Sequence, residues 1–304
     1  MSGADDVPTR LSPDVGAGAV VHQRLSLQVA ELHRQEHEIR VGDTQEGVHD
    51  ARVAGRRLRA ALASFAPLLL AEETEPAGEE LRWLGRVLGE ARDPHVAQQR
   101  LRELLAAEPA DEVAGPVQRR LDTTYASRIA EGEERLHAAL ASARHERLLA
   151  ALDRLVADPR WTAVAARPAG EVLPGMVRRD WKRLRGRMAA AAEAADPDEA
   201  LHAARKAVRR LRYSAETLRP VWGDDARELA RAARALSEHL GDRQDLVLVR
   251  SDLAAMADAA EAAGEPSRTW GALLGRADER RQQLDLGLEE RWQDTVQVWR
   301  SSRP

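Results

Sequence analysis

Two short stretches of this sequence place a row of permanent cations behind a histidine. His49 is followed by Arg52, Arg56, Arg57 and Arg59, and His202 by Arg205, Lys206, Arg209, Arg210 and Arg212. On a helical wheel with His49 at zero, Arg52, Arg56 and Arg59 fall at about 300°, 340° and 280°, one sector roughly 80° wide. Ala51, Ala54, Leu58, Ala61, Leu62 and Phe65 fall at about 120–220°, so one face is core and the other positive. The second stretch repeats the pattern, with His202, Arg205, Arg209 and Arg212 on the charged sector; Arg57, Lys206 and Arg210 flank the rows. Guanidinium forms bidentate, charge-assisted bonds to phosphate oxygens and stays protonated near neutrality. From His49 to Arg59 the row runs about 15 Å at 1.5 Å per residue, a length suited to a linear anion that meets several cations in succession.

Neither row contains a carboxylate between its first and last arginine, whereas Glu131-Gly132-Glu133-Glu134-Arg135 shows the usual interspersed charges of a solvated helix. The bland alternative is a solvated face whose aliphatic stems cover apolar neighbours; duplication at matching positions argues against it. A third cluster precedes the second row: Arg178, Lys182 and Arg185 share one side, and Val177, Trp181, Leu184 and Met188 form the opposite face. Its first-half counterpart is the weaker set His33, His37 and Arg40.

The elements that must position these groups are helices. Seven Trp, two Tyr and one Phe in 304 residues leave little of what sheets favour, and Ala, Leu, Arg and Glu abound. The absence of Cys excludes disulfides, thiolate catalysis and Cys-ligated metal sites. A balance of 46 basic against 50 acidic side chains gives a net charge of −4, which hides any segregation of charge. No apolar run is long enough for a membrane span, so no membrane partner and a cytoplasmic location are expected. Periodicity and Pro, Gly and Asp punctuation place helices at 19–41, 44–71, 77–90, 94–107, 111–142, 144–157, 170–194, 197–218, 224–241, 246–263 and 266–299, the last with a break at Gly287. Residues 1–18 read as a disordered lead-in and 158–170 as a boundary between bundles.

An internal repeat organises the rest. Residues 48–59 align without a gap on 201–212 at an offset of 153, with Asp43 and Glu46 matched by Asp196 and Glu199, an Asp-x-x-Glu helix start in both copies. Leu88-Gly89-Glu90-Ala91-Arg92-Asp93 aligns on Leu240-Gly241-Asp242-Arg243-Gln244-Asp245 at an offset of 152. The expectation is an all-α fold of two helical bundles related by a pseudo-twofold axis, halves 19–158 and 170–300, with the rows lining a central basic groove or channel.

The two His-and-Arg motifs and the two Leu-Gly-Glu/Asp-x-x-Asp segments resemble the CHAD family, the conserved-histidine α-helical domains, over residues 19–300. The resemblance implies two helical bundles and binding of inorganic polyphosphate along a central basic surface, with association to polyphosphate granules. It assigns His49, Arg52, Arg56, Arg57, Arg59, Arg178, Lys182, Arg185, His202, Arg205, Lys206, Arg209, Arg210 and Arg212 to the ligand, with no catalytic residue, metal or cofactor. Such domains are often fused to a triphosphate-tunnel catalytic domain called CYTH. Glu36-His37-Glu38-Ile39-Arg40 matches its Glu-x-Glu-x-Lys opening only superficially, because the last position is Arg and the segment reads as helix.

Other readings compete. A nucleic-acid-binding helical protein would want aromatics among the cations, and Tyr213 is the one aromatic adjoining either row. A metal-dependent polyphosphate or nucleotide hydrolase needs clustered carboxylates, and the rows lack them; a scaffold meeting an acidic protein is the residual case. His33-Arg34-Gln35-Glu36-His37 has metal-ligand spacing, but Arg34 and Arg40 would repel a cation. Asp93-Pro94 reads as a helix N-cap, Glu90 and Asp242 as carboxylates for a metal or for a row arginine, and His49 and His202 as either capping imidazoles or ligand contacts. Gly55 inside the first motif costs about 1 kcal/mol relative to Ala unless close packing needs it.

Overall fold

The computed structural model describes residues 10–42, 44–109, 111 and 113–302. Nine α-helices form among them: α1 (Ala17–Val41), α2 (Thr44–Ser64), α3 (Ala71–Ala106), α4 (Val117–Leu140), α5 (Ala143–Ala157), α6 (Ala169–Glu193), α7 (Pro197–Trp222), α8 (Asp224–Ala262) and α9 (Arg268–Ser302). No β-strand forms among the described residues, and the fold is all-α. Successive helices pair, α1 through α4 in the first half and α6 through α9 in the second, and α2 lies against α7 between them. None of these helices is long and apolar enough to cross a membrane.

Helix ends follow local chemistry. Asp196 accepts from the Asp198 N–H at 3.0 Å with Pro197 in the first turn of α7, while the matching Asp43 lies outside the described residues. Gly42, at φ 111°, closes α1 in the left-handed conformation. Pro116 caps α4, so the helix expected from 111 begins six residues late, and α2 stops at Ser64 before the 3₁₀ turn Ala66–Leu68. Of the expected disordered lead-in, residues 1–9 lie outside the described residues. Residues 11–15 are held by backbone bonds from Leu11 to Pro220, and from Ala169 and Gly170 to Val15 and Pro13.

Three expected breaks do not occur. Residues 77–90 and 94–107 belong to one helix, α3, with Pro76 and Pro94 inside it. Asp93 is therefore not an N-cap. Pro94 removes the donor that would bond the Glu90 carbonyl, and Gly132 of α4 packs at that carbonyl so closely that an added Cβ would lie 2.5 Å from the oxygen. The α8 helix runs unbroken through Gly241, and α9 through Gly287. A glycine costs a helix only about 1 kcal/mol, and buried Leu236, Leu240, Leu246, Val249 and Leu253 hold α8 on both sides of Gly241.

The main core mixes both halves. Leu25, Leu32, Leu58, Phe65, Leu81, Leu84 and Leu88 share one apolar cluster with Leu173, Leu184, Val208, Leu211, Leu229 and Leu236. A smaller cluster joins the end of α3 and the start of α4 to α8 and α9 around Leu121, Tyr125, Leu253 and Trp270. Residues 158–168 are thus a connection between helices; they do not divide one core from another. Trp181 of α6 stacks on Trp292 and Trp299 of α9, with centroids 5.4 and 4.8 Å apart.

Candidate functional site

Because α2 and α7 turn their apolar faces to the shared core, their basic faces meet on the other side. Three open cavities of about 740, 780 and 800 Å³ adjoin these faces. The first holds Arg59, Arg82, Lys206 and Arg210; the second, His49, Arg57, Arg100, Arg205 and Arg212; the third, Arg52 and His202. Arg56, Arg209 and Tyr213 line both the first and second, which makes them the waist between the two, and Lys206 lines both the first and third.

Arg56 and Arg209 occupy equivalent places in the repeat. Neither has a carboxylate within ion-pair distance among the described residues, and the same holds for Arg59. Burial, with Arg56 and Arg205 beside it, lowers the Arg209 guanidinium to about 10. Burial also lowers Arg56, and Arg52, Arg205 and Arg212 add repulsion. Arg59 is lowered chiefly by burial, with Arg82 adding to it. All remain charged at neutral pH. The waist is therefore a concentration of positive charge that the protein itself does not neutralise, and such a site attracts anions.

The other cations of the rows do have partners, supplied by distant helices that a window along one helix does not reveal. Asp93 grips Arg52 through both carboxylate oxygens. Asp245 lies 3.9 Å from Arg205 and 2.7 Å from Arg100, which also reaches Asp242 at 3.2 Å. These are the two Leu-Gly-Glu/Asp-x-x-Asp segments, and their glycines explain the motif. A Cβ on Gly241 would stand 3.1 Å from the Arg205 guanidinium, and one on Gly89 would stand 3.5 Å from that of Arg52. Each glycine is a flat shelf on which the first arginine of a row lies, and the aspartate beyond it holds the arginine there. Glu90 instead pairs with Arg135 at 3.0 Å.

Two more carboxylates are structural hubs. Glu216 accepts from Arg24 at 2.7 Å and Arg212 at 2.8 Å, with Arg57 at 3.5 Å. Burial works to raise its carboxyl, but Arg57, Arg24 and Arg212 outweigh that and hold it low. The i,i+4 spacing of Arg212 and Glu216 was a readable signal. Asp180, 1% exposed, accepts from Arg210 at 2.6 Å and from the Ser64 hydroxyl at 2.5 Å, tying α2, α6 and α7 together. Arg210 is thereby engaged in the scaffold on one side while it borders the first cavity on the other. Tyr213 is buried, with the guanidiniums of Arg57 and Arg212 5.8 and 5.5 Å from its ring centre.

His49 and His202 sit at opposite ends, in the second and third cavities. Both imidazoles are held below their ordinary value: His49 by burial and then Arg56, Arg92 and Arg52, which outweigh Asp50; His202 by burial and then Lys206, Arg205 and Arg209. Both are neutral at pH 7. Neither caps its helix, since each stands a full turn inside it. Arg178, Lys182 and Arg185 are exposed on α6 and line none of the three cavities, so the expected convergence of the third cluster with the rows does not occur there. In its counterpart, His33 pairs with Asp153 at 2.7 Å, Arg40 donates to the Leu140 carbonyl, and Glu36 contacts buried His145 at 2.7 Å.

Sequence reading missed Arg82, Arg100 and Arg234 as lining residues. Arg82 and Arg234 are related by the 152-residue offset and line the first and second cavities, so the repeat itself carried that signal.

Comparison with known proteins follows the same lines. The sequence profile of one family, described as the CHAD domain, matches residues 23–254. The chain is 34% identical over 276 residues to uncharacterized protein MT2285 of Mycobacterium tuberculosis strain CDC 1551 / Oshkosh and to uncharacterized protein Rv2226 of strain ATCC 25618 / H37Rv. Each match covers 89% of this chain and 52% of the relative, so the chain spans about half the length of the curated relatives it matches. Among solved structures, PptA from Streptomyces chartreusis superposes with a TM-score of 0.73 at 20% identity, covering 91% of this chain and 99% of that one. The CHAD domain from the plant Ricinus communis gives 0.73 at 22% identity, covering 96% and 97%.

Proposed function

The chain belongs to the CHAD domain family, and on that premise we propose that it is a non-catalytic module that binds inorganic polyphosphate between α2 and α7 and associates with polyphosphate granules. The observation that carries this is the waist. Arg56 and Arg209 stand together without carboxylates, and Arg52, Arg205, Arg212 and Lys206 continue the positive surface away from them. A flexible chain of phosphates supplies the counter-charge that the waist lacks, and farther along it competes with the carboxylates that hold Arg52, Arg205 and Arg212. Phosphate oxygens would take bidentate bonds from the waist arginines first, and His49 and His202 would contact the chain farther along, gaining protons as it binds.

Tyr213 supports a polyanion without bases. Its side chain borders two cavities but is only 6% exposed, with Arg57 and Arg212 near its ring, so it offers little surface for a base to stack on. Titration with polyphosphates of graded length and with RNA, using wild type and an Arg52→Gln/Arg56→Gln/Arg205→Gln/Arg209→Gln variant, tests the reading. Affinity should rise with chain length, fall steeply with salt as counterions are released, and be lost in the variant. RNA that long polyphosphate fails to displace would overturn the ligand class. Phosphate release by the pure protein with magnesium, abolished in the variant, would overturn the non-catalytic role.

A further inference from the structure

The first arginine of each row is already occupied. Arg52 lies on Gly89 with Asp93 across its fork, and Arg205 lies on Gly241 with Asp245 beside it, itself shared with Arg100. These two clamps stand back to back. Arg205, Arg100 and Asp245 face the second cavity, while Arg52 and Asp93 face the third, and those two cavities have no lining residue in common. The clamp carboxylates sense each other as well: Asp245 is held above its ordinary range chiefly by burial, with Asp242 and Asp93 adding repulsion against the pull of Arg100 and Arg205. By contrast, the first and second cavities share the unpaired Arg56 and Arg209 in their walls.

Resting on the polyphosphate reading, we propose that Asp93 and Asp245 are specificity-determining residues that select for chain length by acting as internal substitutes for phosphate. A short polyphosphate satisfies Arg56 and Arg209 at the waist and leaves both clamps closed. A chain long enough to extend beyond the waist meets Arg205 in the second cavity or, past Lys206, Arg52 in the third, and its phosphates must displace the aspartates from them. Only the long ligand therefore works against the clamps. Each phosphate seated on Arg52 or Arg205 exchanges one ion pair for another, which makes the clamps a threshold that a long chain overcomes by binding at many points at once.

The test compares tripolyphosphate with long-chain polyphosphate on wild type, Asp93→Asn/Asp245→Asn, and a charge-matched Glu46→Gln/Glu75→Gln variant whose carboxylates line the second and first cavities without clamping Arg52 or Arg205. Removing any two negative charges raises affinity for both ligands, so the readout is the ratio of the two affinities. An exposed ion pair is worth up to about fivefold in an equilibrium constant, so the clamp variant should raise the ratio of long to short by roughly three- to tenfold, and the control should leave it unchanged. Asp93→Asn alone, at a carboxylate 63% exposed, should give a smaller change of the same sign should the double variant fold poorly. An unchanged ratio in the clamp variants, or an equal change in the control, overturns the proposal while leaving polyphosphate binding intact. Failure of wild type to bind either ligand overturns the binding reading as well.

Discussion

Replacing Arg209 with glutamine should move stability and binding in opposite directions. In the unliganded protein, the displacement of its guanidinium from the ordinary arginine value to about 10 corresponds to roughly 3 kcal/mol held against the charged form. The sign is that of a base whose value is lower in the folded than in the unfolded state. The cost is present in full below about pH 10 and disappears only as pH rises past the unfolded value, so at pH 7 it is undiminished. Glutamine forfeits some packing of the aliphatic stem, which leaves a net gain of about 1–2 kcal/mol. For a chain of this size that raises the melting temperature by about 2–6 °C. Saturating polyphosphate reverses the order, since at a hundred times its dissociation constant a ligand stabilises wild type by about 2.7 kcal/mol, much of which the variant forgoes. Thermal melts by circular dichroism, with and without long-chain polyphosphate, should therefore cross: the variant melts above wild type when empty and below it when loaded. A variant that melts lower when empty would show that the charge is compensated within the fold, and an unchanged ligand-induced shift would remove Arg209 from the site.

Further outcomes rest on the same geometry. Gly132→Ala should destabilise the fold by about 1–3 kcal/mol, because its Cβ would sit 2.5 Å from the Glu90 carbonyl oxygen. Gly55→Ala, with nothing within 4 Å of the new methyl, should stabilise by up to about 1 kcal/mol; urea melts read both. Since His49 and His202 are held below the ordinary imidazole value when empty and an anion raises them, polyphosphate affinity measured by calorimetry should increase as pH falls through about 6.5. His49→Ala/His202→Ala should flatten that increase, while the empty wild type should lose stability over the same interval as protons favour the unfolded chain. Asp180→Ala should cost about 1–3 kcal/mol in a urea melt by removing the buried carboxylate that Arg210 and Ser64 share. Lys182→Gln/Arg185→Gln, on the exposed face of α6, should leave tripolyphosphate affinity within about twofold by titration, since exposed charges at a distance are largely screened.

Much of the architecture was legible because it rests on local periodicity. The apolar sectors of α2 and α7 are the buried ones, Leu58 and Leu211 among them, and their charged sectors face the cavities. Helix breaks were the weak point. Pro94 and Gly241 read as punctuation, yet α3 and α8 pass through both, because apolar residues on either side are buried by neighbouring helices and that packing outweighs a lost bond or a glycine. The candidate site was half legible. The cations could be found from spacing, whereas their partners Asp93, Asp180 and Asp245 lie on other helices, and no pattern within a single helix shows which rows are neutralised from across the fold. The absence of carboxylates within each row held true as sequence, but it left only Arg56, Arg59 and Arg209 without ion-pair partners among the arginines of the two rows.

The interleaving of apolar side chains from the two halves bears on how the molecule could be divided. A backbone cut within 158–168 would give two fragments that each retain one histidine-led motif, but each would carry a raw hydrophobic flank where the other had lain. Neither piece would be a half-strength version of the whole. Separately made, they should aggregate or seek each other out, and only the reassembled pair would again bring two opposed guanidiniums to the same point in space.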